Sequence, residues 1–101
     1  METVISLIST EQVIDSYGVP QTTYTPREVF AEVHSVRRSE FYNAGRNGLN
    51  PAFEFTMFQG DYQGETICEY EGKQYAIYRT YIVPGTDYIE LYVKREGGTN
   101  A

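Results

Sequence analysis

The stretch ICEYEGKQYAIYRTYIV, Ile67–Val83, alternates apolar and polar side chains on both sides of a single Glu71-Gly72-Lys73 step. A period of two is the mark of a half-buried strand, and a short glycine step between two such runs is the mark of a hairpin. The reading is therefore strand, tight turn, strand. Four tyrosines, Tyr70, Tyr75, Tyr78 and Tyr81, lie within it, with no arrangement of groups that performs chemistry.

The same period recurs on either side. In REVFAEVHSV, residues 27–36, Val29, Ala31 and Val33 face one way, and Glu28, Phe30, Glu32 and His34 the other. Phe30 on the polar side implies a contact beyond the main core. In AFEFTMF, residues 52–58, Phe53, Phe55 and Met57 share the buried side. YIELYVKR, residues 88–95, turns Ile89, Leu91 and Val93 inward after a Pro84-Gly85 turn. The first strand is read over residues 2–8, with Val4 and Ile8 as its apolar bracket. Ser9 with Gln12 three residues on has the form of a capping box, which predicts a helical turn stopping at Gly18, or an irregular one. Pro20 and Pro26 mark residues 18–26 as a loop or an edge segment. In RRSEFYNAGRNGLNP, residues 37–51, Ser39 is placed to cap, and Phe41 with Ala44 forms an i,i+3 pair. Gly45 and Gly48 discourage continuation, so one or two helical turns and then a flexible loop are expected. Residues 59–66 read as a loop, and 96–101 as a frayed tail.

Six strands with close turns leave exposed edges, which closure of the sheet removes. The expected fold is mainly β: a small antiparallel β-barrel or closely packed sandwich of about six strands with one short helix, in a single domain spanning residues 1–101. With 101 residues the chain is long enough for one core and not two.

Composition narrows the function classes. The net charge is −6, from 8 Lys and Arg against 14 Asp and Glu, which disfavours gripping nucleic acid through phosphate. No run approaches the length of a membrane span, and the N-terminus, with Glu2 and no basic stretch, does not read as a secretory signal. The single cysteine, Cys68, allows no internal disulfide and agrees with a reducing compartment. A cytoplasmic product is expected.

The candidates for chemistry are thin. His34 shares a strand face with Glu32, a possible base and orienting carboxylate, but no nucleophile motif accompanies them. Cys68 is flanked by Glu69 rather than by cations, which suits a packing thiol. Asp61, Glu65, Glu69 and Glu71 lack the spacing of a calcium loop, and Glu69 and Glu71 read as a solvated face. The Glu71-Gly72-Lys73 step is not a phosphate loop: Ile67 stands where the first glycine belongs and Gln74 where Ser or Thr does. No catalytic residue, no metal site and no cofactor are expected. The tyrosines leave one alternative, a small barrel binding single-stranded nucleic acid or a small ligand on aromatic platforms.

The order of parts carries a resemblance. VFAEVHSV, then RRSEFYNAG, then FEFTMF, the GDYQGET loop, and ICEYEGKQYAIYRTYIVPGTDYIELYVKR is similar to the head-tail joining family of tailed phages and prophages, also called head-tail adaptor, head-completion or stopper proteins. That family shows a strand, a Ser-x-Glu-like step into a short helix, a strand, a loop, an I-x-Y-x-G-K-x-Y-x-I hairpin and a closing x-L-x-V-K strand. Ile67, Tyr70, Gly72, Lys73, Tyr75, Ile77, Leu91 and Val93 occupy those places, with one residue inserted between Ile67 and Tyr70. The likeness spans about residues 27–96; residues 1–26 match nothing firmly and read as a variable N-terminal part.

The resemblance implies a virion structural protein without enzymatic activity, located in the neck and, before assembly, in the host cytoplasm. It implies a connector ring of copies of itself that completes the capsid exit after packaging. Its partners would be the portal or an adaptor ring, a tail-completion or tail-tube protein, and packaged DNA in the channel. A subunit that is monomeric in solution and joins a ring only on the portal is compatible with this. Arg37, Arg38, Arg46, Asn47, Gly48 and Asn50 are the candidate channel-loop residues. Phe30, Phe58, Tyr62 and Tyr78 are the candidate subunit-interface residues.

Overall fold

The computed structural model describes residues 2–95; the tail expected at residues 96–101 lies outside them. Six strands follow one another, β1 (Glu2–Ile14), β2 (Pro20–His34), β3 (Pro51–Phe58), β4 (Ile67–Tyr70), β5 (Lys73–Ile82) and β6 (Tyr88–Arg95). One helix, α1 (Arg38–Arg46), lies between β2 and β3, and a single 3-10 turn, Gln59–Asp61, follows β3. All pairings are antiparallel, and the ring closes in the order β1-β2-β3-β6-β5-β4. The fold is the small β-barrel expected from the alternating runs.

The inside is filled by side chains, as a barrel of this size requires. Ile5, Leu7, Val29, Ala31, Phe55, Met57, Cys68, Tyr70, Tyr75, Ile89, Leu91 and Val93 form one buried cluster. Phe55 meets Tyr70 edge-on at 5.2 Å between ring centroids, and Phe53 meets Tyr70 and Tyr75 at 5.3 and 5.6 Å in the same manner. These geometries favour the positive ring edge against the negative ring face. Two of the tyrosines of Ile67–Val83 are thus core rings. Tyr70 shares the inward side with Tyr75.

The β4–β5 turn is two residues long, with Glu71 at φ 52° and Gly72 at φ 79°. Positive φ at both central positions defines the turn whose twist matches that of the strands.

One sequence expectation fails at the N-terminus: residues 9–14 are strand rather than a helical or irregular turn. Of the two readings of residues 18–26, loop or edge segment, Pro20–Pro26 are the edge segment. β1 and β2 pair without a break from Glu2↔Glu32 to Ile14↔Pro20. The barrel uses only part of this ribbon: β4 pairs with β1 over Ser6–Ile8, and β3 pairs with β2 over Ala31–His34. Beyond those seams the ribbon projects as a two-stranded arm, and none of residues 9–26 is in the core cluster. A compact chain of this length has a radius of gyration of about 13 Å. This one has 15.0 Å, with extents of 49 × 32 × 23 Å, and the arm accounts for the elongation.

The helix also differs from expectation. It runs nine residues, and Arg37, not Ser39, is its N-cap, with no side-chain cap. The Arg37 N–H instead donates to Glu54 Oε2 of β3 at 2.9 Å. At the other end Gly48, at φ 77°, lets Leu49 N–H reach Ala44 O at 2.9 Å while Gly48 N–H reaches Gly45 O at 3.0 Å. This double bond satisfies the last carbonyls of the helix. The expected loop therefore shrinks to residues 47–50.

Candidate interaction surfaces

The outward side of the barrel carries a row of exposed apolar groups. Val4 pairs with Phe30, and Phe58 pairs with Tyr88. Phe30 and Phe58 stand just past the last β2–β3 pair, Ala31↔Met57, so the row crosses four neighbouring strands. Relative exposures are 44% for Val4, 67% for Phe30, 50% for Phe58 and 52% for Tyr88. Singly exposed apolar residues are ordinary, but a contiguous row marks a contact surface. A depression of about 480 Å³ lies along it, with Glu2, Glu32 and Asp61 at its margin. The Phe58 ring is folded over Gly60: a Cβ there would meet ring atom Cε2 at 2.5 Å.

Further along the same outward faces of β3 and β6, towards Glu54↔Tyr92, a polar network fastens α1 to the barrel. Arg37 donates from Nε and Nη2 to Glu54 Oε1 at 3.2 Å each, and from Nη2 to Glu90 Oε1 at 2.9 Å. Tyr78 donates its hydroxyl to Glu40 Oε2 at 2.6 Å, and Arg79 donates to Glu40 Oε1. The Arg79 guanidinium also stacks 4.0 Å from the Tyr92 ring centroid. A register shift between Ile77 and Arg79 makes this possible. Such a bulge breaks the strict alternation, so that consecutive residues, here Tyr78 and Arg79, both reach the buried Glu40.

The charges respond to these surroundings. Burial opposes ionisation of Glu40, but the hydrogen bonds from Arg79 and Tyr78 outweigh it and hold its carboxyl below the usual range. Glu65 behaves alike: burial is outweighed by Arg27, 2.7 Å away, and by the Gln63 N–H. Burial, and then the hydrogen bond to Glu90, push the Tyr92 hydroxyl up to about 12. Burial pushes the Cys68 thiol up to about 12, which keeps it protonated and unreactive at neutral pH.

The residues singled out by sequence fall in different places. Phe30 and Phe58 belong to the exposed row. Tyr62 is half-buried against the core and donates to Glu65 O at 2.6 Å, and Tyr78 is held by Glu40, so both hydroxyls have partners within the chain. Arg37 is engaged by Glu54 and Glu90, whereas Arg38 and Arg46 are exposed at the two ends of α1. Asn47, Gly48 and Asn50 form the exposed connection after it. His34 Nε2 lies 3.6 Å from Glu32 Oε1, and both side chains are about half exposed. Among the described residues no three His, Cys, Asp or Glu side chains converge as metal ligands, and no helix is long and apolar enough to cross a membrane. Sequence reading missed Val4 and Tyr88 as members of the row, and the arm entirely.

These features define a class: a small antiparallel β-barrel with a projecting hairpin arm and a row of exposed apolar side chains. Compared with family models and with curated proteins, the chain matches none.

Proposed function

We propose that the protein is a non-enzymatic structural subunit of the neck of a tailed phage or prophage. Copies of it dock side by side in the ring that completes the capsid exit and receives the tail. The observation that carries this reading is the apolar row Val4, Phe30, Phe58 and Tyr88. It stands on a small acidic domain whose interior is filled with side chains. A ring subunit needs such a rigid core with one dry patch for its neighbour. The likeness of residues 27–96 to head-tail joining proteins supports the same reading.

Within this proposal the portal or adaptor ring and a tail-completion or tail-tube protein are the axial partners. Arg38, Arg46, Asn47, Gly48 and Asn50 are the groups that meet DNA in the channel. The single-strand or small-ligand alternative fits less well. The exposed tyrosines Tyr17, Tyr24, Tyr42, Tyr81 and Tyr88 are spread over the arm, the helix and the barrel and make no common platform.

The test is imaging of virions with a gold-labelled antibody against this protein, together with infectivity after Phe30→Ser and Phe58→Ser are combined. Label at the neck and loss of tailed particles are expected. Label at the capsid surface or tail tip, or full infectivity of the double variant, rejects the proposal.

A further inference from the structure

The arm has two long edges, and they are not equivalent. Asp15 N–H donates to Val19 O at 3.0 Å, which fixes the hydrogen-bonding phase of the ribbon. Antiparallel pairs alternate between bonded and non-bonded, so the next pair, Ile14↔Pro20, is non-bonded, and so is every even-numbered pair down to Ile8↔Pro26. The N–H and C=O groups of even residues therefore point away from the partner strand. The same phase turns Ser6 and Ile8 toward β4, and Glu32 and His34 toward β3, consistent with the observed seams.

On β2 the outward positions of the arm are Pro20, Thr22, Tyr24 and Pro26; the two prolines, one at each end, have no N–H to offer. Proline at outward positions is a known means of blunting an edge. On β1 the outward positions are Thr10, Gln12 and Ile14, all with their N–H, and β4 covers none of them. One edge of the arm is blunted by proline at both ends, and the other carries no proline.

We propose that the β1 edge Ser9–Ile14 takes a strand, and that in the free protein its occupant is the same edge of a second copy. With one unblunted edge per chain, pairing through that edge ends at two, and the second edge that a fibre needs is the one blunted by proline. Charge and phase select the register. Only even residues face outward, so an antiparallel pairing sets even opposite even. Gln12 opposite Gln12 of the partner subunit places Thr10 opposite Ile14 and keeps Glu11 opposite Val13. A slip of two residues would set Glu11 against itself. The selected register makes about six main-chain hydrogen bonds in a four-stranded ribbon.

The pairing is independent of the ring reading and goes beyond it. A ring of identically oriented copies uses heterologous contacts, so this two-fold contact belongs to the free protein and opens on assembly. The monomer that the family resemblance allows is replaced by a dimer.

The experiment is sedimentation velocity of the full chain from micromolar to millimolar concentration, with Gln12→Pro and Thr22→Pro alongside. Both substitutions remove an N–H that the ribbon does not use internally, one on each edge. The expected result is a dimer for the parent chain and Thr22→Pro, and half that mass for Gln12→Pro with unchanged circular dichroism. A parent chain that stays monomeric at millimolar concentration overturns the proposal. So does a Gln12→Pro variant that stays dimeric, or a Thr22→Pro variant that becomes monomeric. Should Gln12→Pro not fold, disulfide trapping decides. Gln12→Cys gives a covalent dimer under mild oxidation and Thr22→Cys does not; the reverse, or equal yields, overturns the pairing.

Discussion

Glu71 is the one residue other than glycine with positive φ among those described, and it shares a two-residue turn with Gly72 at φ 79°. An L side chain in that region loses roughly 1 kcal/mol relative to glycine, and the turn needs the conformation at both positions. Gly72→Ala is expected to destabilise the protein by about 1–2 kcal/mol, and Glu71→Asn or Glu71→Gly to stabilise it by a few tenths to about 1 kcal/mol. Urea unfolding followed by circular dichroism measures both. Open space surrounds the Cβ position at Gly72, so the effect there is one of backbone conformation, not collision. Opposite signs for the two changes are the signature; equal signs would mean that the turn relaxes to another type.

At the level of elements, α1 is held to the barrel largely by ion pairs and hydrogen bonds, because only Ala44 and Glu40 of the helix are buried while Phe41 and Tyr42 are exposed. Glu40 and Glu65 are depressed by their partners, so each binds its proton more weakly folded than unfolded. Their stabilising effect is therefore fully present above the ordinary carboxylate pKa of about 4.3 and is lost as pH falls through the lower folded value. Stability is expected to be flat above about pH 5 and to fall in acid, with a shallower fall in Glu40→Gln and Glu65→Gln. Thermal melts from pH 3 to 7, a range of about four units spanning that pKa, measure it. Much of this level is legible in the sequence and part is not, for a definite reason. The strands β3, β5 and β6 and the barrel half of β2 each have one buried face, and burial writes the alternation. Ser9–Ile14 lies on an exposed ribbon with no buried face, so its polar letters looked like a helix cap. Pro20 and Pro26 mark a loop or an edge segment equally well, because sequence does not say that their nitrogens face an unpaired edge. Phe30 and Phe58 were visible as apolar letters out of phase. The network around Glu40 and Glu54 was not, since it joins residues far apart through a bulge that alternation cannot show.

For the whole molecule, the barrel and the arm share no core although they are continuous in chain. The core draws nothing from residues 9–26, and the arm's last anchor to the barrel is Arg27, which donates to Glu65 Oε2 at 2.7 Å and to Asp61 O at 2.8 Å. Ser9↔Thr25 is a bonded pair, the kind that a two-residue Asn-Gly turn closes. Replacing Thr10–Tyr24 by Asn-Gly is thus expected to leave a folded barrel whose midpoint of urea unfolding shifts little, because little apolar surface is lost from the core. The same trimmed chain is expected to lose dimerisation while keeping the row Val4, Phe30, Phe58 and Tyr88. Combining Phe30→Ser with Phe58→Ser in the full chain is the converse: both side chains are half exposed or more, so stability is expected to change by about 0.5 kcal/mol or less each and dimerisation to persist, while under the proposed function the assembly of tailed particles is expected to fail. If trimming the arm unfolded the barrel, the ribbon would be part of the fold and not an appendage of it. If the two changes abolished the same function, one surface would be serving both contacts. Separate losses are what a small barrel with two independent docking elements requires.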